Sequence, residues 1–150
     1  MNSFGIWHLL IIVIIGAAIF ASYRFASLYK NLIQVIGVKY ISINPNLSYL
    51  IFIQFVGFVF YGVLAFSLKR ALTRMFDDGE LPIKTDAVII SLLAFSACGL
   101  LILVLPFMAG FMCLATVICF GFNWWHAANT KALVMLRLES VHRPVPSGNP

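Results

Sequence analysis

Three stretches of this chain contain no Asp, Glu, Lys or Arg: Met1–Tyr23, Tyr40–Leu68 and Ala87–Thr130, of 23, 29 and 44 residues. An element that meets water needs polar side chains along at least one face, and none of these stretches supplies them. A helix that crosses a hydrocarbon core about 30 Å thick needs about 20 apolar residues instead. Composition agrees: hydrophobic residues make up 62% of the chain and charged residues 10%, against about 45–50% and about 25% in ordinary globular chains. The pattern excludes a disordered chain, a disulfide scaffold and a nucleic-acid-binding domain. It predicts an all-α integral membrane protein whose first partner is the lipid bilayer.

The first block predicts one span at about 4–23. A cleaved leader is not expected, because no Lys or Arg precedes the apolar run and Ala18-Ile19-Phe20-Ala21 is a poor cleavage site. In the second block Asn44-Pro45-Asn46 is a turn cluster, which delays the second span to about 47–68. The third block would extend about 66 Å as one helix, close to two membrane thicknesses. Its only proline, Pro106, removes a backbone donor and clashes with the preceding turn. The hairpin bend belongs there, with spans at about 86–105 and 107–125. The expectation is a single four-span domain over 1–150.

Between the first two spans, Phe25, Leu28, Tyr29, Leu32, Val35 and Ile36 recur at helical spacing, opposite Arg24, Ser27, Lys30, Asn31 and Gln34. This predicts an amphipathic helix lying in the headgroup plane, ended by Gly37 and followed by an extended piece over Val38–Ile43. The interfacial segment as a whole covers 24–43. Between spans two and three, Asp77, Asp78 and Glu80 lack calcium-loop spacing and read as a solvated turn. Thr85 is the expected N-cap of the third span, with Asp86 in its first turn. The polar, Pro-rich tail covers 139–150. If every connection changes side, Lys69, Arg70, Arg74, Lys84, Lys131, Arg137 and Arg143 face Arg24, Lys30 and Lys39 across the membrane. The basic majority then places both termini in the cytoplasm.

Ionisable groups inside a membrane are expensive and usually functional, yet the spans hold none. Their polar inventory is Gln54, Ser91, Ser96, Thr116, Tyr61 and Asn123. Gln54 is expected to make one interhelical hydrogen bond. Ala17 with Ala21, Ala18 with Ser22, Ala94 with Cys98, and Ala115 with Cys119 form small-xxx-small pairs that allow close helix packing. Cys98, Cys113 and Cys119 include no C-x-x-C and read as packing residues. No catalytic residue, metal site or cofactor is expected. The one constellation that competes is His8 with His126, near one face under the expected topology and able to share a haem or a metal ion there.

Phe4-Gly5-Ile6-Trp7-His8-Leu9-Leu10 and the isoleucine-rich run after it resemble the start of the twin-arginine translocase A-type subunit, as does the amphipathic stretch that follows. That family carries a Phe-Gly hinge and a Lys-rich helix where this chain has Phe20-Ala21-Ser22-Tyr23-Arg24 and three further spans. The resemblance implies a bacterial inner membrane and does not extend to translocase activity. With no nucleophile–base or acid–base pair, an enzyme is not expected. The expected role is a non-catalytic accessory or assembly subunit with a membrane-protein partner or self-association. The alternatives are an immunity protein against a membrane-acting toxin and an oligomeric channel or small transporter.

Overall fold

A computed structural model of the chain describes residues 3–82, 86–104 and 109–142, which are all-helical, with no strand. The elements are α1 (Ser3–Ile36), a 3-10 helix η1 (Pro45–Phe52), α2 (Gln54–Asp77), α3 (Asp86–Val104) and α4 (Ala109–His142). Thr85, the bend at Pro106 and residues 143–150 of the tail lie outside the described residues. Among the described residues two helices are long and apolar enough to cross a membrane, Ile6–Ile36 and Val56–Asp77.

α1 is continuous over 34 residues, about 51 Å, and its two halves live in different surroundings. Every residue from Ile6 to Phe20 is exposed, Ile12 at 69%. Phe25, Tyr29, Leu32, Ile33 and Ile36 are buried. The amphipathic stripe is therefore present, but other helices cover its apolar face, and it does not lie flat on a headgroup plane. The physical reason is that α4 and η1 both pack along it and offer an apolar surface that excludes lipid and water alike.

Gly37 ends α1 in a left-handed conformation, φ +79°, which glycine adopts without a Cβ clash. Val38-Lys39-Tyr40 then turns: the amides of Tyr40 and Ile41 both donate to the Gly37 carbonyl, each at 3.2 Å. These bonds replace the extended piece expected over Val38–Ile43. Asn44 caps the next element, its side chain accepting from the Asn46 amide at 3.0 Å, and Pro45 takes the first helical position, where its missing N–H is not needed. The second apolar block is thus not one continuous span from Leu47. It begins as η1, breaks at Ile53 and restarts at Gln54.

Contacts along the helices give their directions. Phe25 stands level with Phe120 and Tyr61, with ring centroids 4.6 and 5.4 Å away, and one turn further on Tyr29 bonds Asn123. At the far end Lys39 meets Asp78 and Glu80, and Arg137 donates to the Gly79 carbonyl at 3.2 Å. Residue numbers rise together, so α1, α2 and α4 run parallel, while α3 and the leg Val38–Ile53 run back. The neighbours close a ring: α1 beside η1, η1 beside α2, α2 beside α3, α3 beside α4, and α4 beside α1.

This path bears on the side assignment. The return leg adds a traverse that the four-span count omits. It places Lys39 at the same end as Asp78, Glu80 and Arg137, and puts the first residues of α1 and the last of α4 at opposite ends. If α1 and α4 both cross a membrane, the two ends of the chain cannot share a side.

Candidate functional site

Phe25 is the hub of the bundle. Its ring lies 4.6–6.3 Å from those of Tyr29, Tyr61, Phe95, Phe120 and Trp124, so each of the four long helices contributes to one aromatic layer. Such pairs contribute beyond the area they bury, about 0.5–1.5 kcal/mol each. Polar groups are threaded through this layer. The Tyr29 hydroxyl donates to Asn123 Oδ1, and Tyr61 donates to the Ser48 carbonyl at 2.8 Å. Ser96 donates to the Phe58 carbonyl at 2.6 Å. These bonds tie α1 to α4, α2 to η1, and α3 to α2. Asn123 Nδ2 and Ser48 Oγ are buried with no hydrogen-bond partner among the described residues.

At the opposite pole of the molecule's chemistry is the charged end. Lys39 Nζ lies 3.1 Å from Glu80 Oε1 and 3.7 Å from Asp78 Oδ2, and the Tyr40 hydroxyl donates to Asp78 Oδ2 at 2.9 Å. The Tyr40 hydroxyl and then the Glu80 carboxylate raise the Lys39 ammonium above its ordinary value. Tyr40 and Lys39 together hold the Glu80 carboxyl below its ordinary value of 4.5. A lowered carboxyl stabilises the latch above 4.5 and ceases to as pH falls through the folded value. A raised ammonium stabilises it below the ordinary 10.5 and ceases to as pH rises past the folded value. Protease resistance of Gly37–Asn44 should therefore be flat across neutral pH and fall a few-fold on acidification below 4.5. Limited proteolysis at graded pH, with Glu80→Gln as the already-unlatched reference, measures this. Equal cleavage of wild type and Glu80→Gln at pH 7 contradicts it.

Several expected residues are not brought together. His8 precedes Phe25 by about 25 Å of helix, in the exposed half of α1, while His126 follows Phe120, the partner of Phe25, toward the charged end. Because α1 and α4 run parallel, the two histidines lie on opposite sides of the aromatic layer and cannot share a haem or a metal ion within one chain. Ala17 is exposed and Ala21 half-buried. Ala18 is exposed and Ser22 half-buried. Gln54 is the first residue of α2, and its side chain lies outside the described ones. Cys98 and Cys119 face each other across α3 and α4 with sulfurs 4.0 Å apart. Ala94 lines a groove with Cys119, and Ala115 is half-buried. Ser91 bonds back to the Val88 carbonyl at 3.0 Å, the local pattern of a helical serine.

The close approaches that the sequence did not disclose are glycines. A Cβ on Gly57 would lie 2.7 Å from the Leu50 carbonyl oxygen and 2.8 Å from Ile51 Cα. On Gly62 it would meet Ser96 Oγ at 3.0 Å, and on Gly99 it would overlap the Phe58 ring. None of these belongs to a small-xxx-small pair chosen from the sequence, although Gly99 follows directly on Cys98. Comparison with known proteins adds nothing to this geometry: no family model, no curated protein and no solved structure matches the chain.

Proposed function

We propose that this chain is a non-catalytic, multi-pass protein of a bacterial inner membrane that serves as an accessory or assembly subunit of a larger membrane complex. The helices α1, α2, α3 and α4 carry it, with the leg Val38–Ile53 returning between α1 and α2, so that the start of α1 and the end of α4 lie on opposite sides. The observation behind the reading is the exposed half of α1. Its other half is locked into the core, so Ile6–Phe20 projects as a rigid apolar rod that no part of the described chain covers. Lipid satisfies such a surface, and so does a helix of a partner. Nothing lies within 4 Å of a Cβ placed on Gly16, which leaves that position open to a neighbouring backbone.

The charged residues support a revised orientation. Arg24, Lys69, Asp86 and Lys131 are the charges nearest the apolar end on their helices, and everything beyond them toward that end is uncharged. The basic residues among the described ones lie at mid-height or toward the charged end. By the positive-inside rule that end faces the cytoplasm, with the start of α1 on the other side. At mid-height Lys30 lies over the Tyr49 ring at 5.7 Å. The 3-10 backbone of η1 is compatible with membrane depth because α1 and α2 enclose it. The absence of catalysis is supported by how the buried hydroxyls and amide are used: Tyr29, Tyr61 and Ser96 each hold one helix to another.

The test is a photo-crosslinking residue at Ile12 in the full-length protein, irradiated in native membranes and followed by native mass measurement of the mild-detergent extract. A stoichiometric foreign membrane protein, captured from Ile12 and absent with the same probe at Phe66, is the expected result. If that partner is a pore-forming toxin, the immunity reading replaces the subunit reading. A pure homo-oligomer overturns both and makes solute flux in liposomes the next measurement.

A further inference from the structure

Lys69 and Asp86 are the charges that bound the second and third charge-free stretches, and the fold brings them to one place. They stand at the mouth of a groove between α2 and α3, with Phe66, Ile89, Ile90 and Leu93 lining the rest. Both charged side chains are exposed, and neither has a hydrogen-bond or ion-pair partner among the described residues. Elsewhere at this end opposite charges close on each other, as Lys39 does on Glu80 at 3.1 Å. Here a cation and an anion are held beside the same apolar slot without pairing.

We propose that this groove binds an amine-bearing zwitterionic phospholipid, with the phosphate at Lys69, the ammonium at Asp86 and an acyl chain along Phe66, Ile90 and Leu93. The inference rests on the reading that α2 and α3 cross the membrane, which puts the mouth of the groove at headgroup depth. Charge complementarity selects the lipid. An anionic headgroup without an amine satisfies Lys69 but faces Asp86 with like charge. A choline headgroup brings a cation that has no N–H to donate to the carboxylate, whereas an ethanolamine ammonium donates a charge-assisted hydrogen bond. The groove floor supplies affinity without selectivity, because every acyl chain fits it equally.

The experiment uses the full-length protein in mild detergent, with equimolar synthetic phosphatidylethanolamine, phosphatidylglycerol and phosphatidylcholine of one acyl composition, and counts bound lipid by native mass spectrometry. Phosphatidylethanolamine should be retained about tenfold over each of the others, the value of one charge-assisted hydrogen bond. Asp86→Asn should bring that ratio close to one, and Lys69→Ala should lower retention of all three. Arg74→Ala, a cation of the same helix outside the groove, should change nothing, which separates a groove effect from a general loss of charge. Circular dichroism of each variant establishes that the helices remain. Equal retention by wild type, a preference for phosphatidylglycerol, or a preference that survives Asp86→Asn overturns the proposal. Extraction of the wild type from membranes by alkaline carbonate would instead overturn the membrane-spanning reading beneath it.

Discussion

Replacing Phe25 with Ala should destabilise the bundle by about 3–5 kcal/mol, the range for removing a buried aromatic ring. Phe25 is completely buried and touches rings from its own helix, α2, α3 and α4, so no single neighbour can move in to fill the space. The loss combines dispersion contacts with aromatic pairing, and these are not additive because the same rings contact one another. Phe20, five residues earlier on the same helix, is 66% exposed. Lipid or detergent solvates it before and after folding, so Phe20→Ala should change stability by less than about 0.5 kcal/mol. Denaturant titration in mild micelles, read by the fluorescence of Trp124 against Phe25, measures both. Equal effects at the two positions would show that the aromatic layer is not the core.

The second large effect is expected at Gly57. In Gly57→Ala the new methyl meets the Leu50 carbonyl oxygen and Ile51 Cα. Both are backbone atoms that cannot rotate aside, so α2 must back away from η1. Alanine gains about 1 kcal/mol of helix propensity, while overpacking costs about 1–3 kcal/mol. The clash is with fixed atoms and should win, for a net loss of about 1–2 kcal/mol. Gly57→Leu should lose about 3 kcal/mol, at the top of the overpacking range, and should separate Tyr61 from the Ser48 carbonyl it now bonds at 2.8 Å. Gly16→Ala and Gly121→Ala are the comparison, since a Cβ there meets nothing within 4 Å. These should be neutral or stabilising by up to about 1 kcal/mol. The same denaturant titration orders the four variants, and a stabilised Gly57→Ala would mean that η1 does not dock on α2.

The first effect depends on partners up to about a hundred residues away and the second on a chain break at Ile53 that folds η1 back against α2, which explains why neither was legible there. The stripe Phe25, Tyr29, Leu32 and Ile36 was legible because it depends only on helical period. What covers the stripe depends on α4, nearly a hundred residues away. Asn123 was legible as a polar residue in an apolar run, and its bond to Tyr29 was not. Asn44 and Pro45 were legible as a turn, since cap and fixed φ are local properties. The break at Ile53 was not, because Leu47–Leu68 contains no proline and its glycines serve a tertiary contact. The side assignment rests on a related assumption. Counting spans assumes that each connection changes side, whereas Val38–Ile53 doubles back along α1 and delivers Lys39 to the acidic turn of another connection.

By itself, then, the sequence determined that this is an all-helical chain with stretches fit for lipid, where α1 stops, and where charge is confined. Those follow from local quantities: apolar run length, helical period, the φ freedom of Gly37 and the cost of a bare charge in hydrocarbon. Only the tertiary structure decided which half of α1 is core and which half is exposed, that His8 and His126 stay apart, and that Lys69 and Asp86 flank one groove. Direction and neighbourhood are properties of packing. They are set by which surfaces exclude lipid most completely when all the helices are present at once.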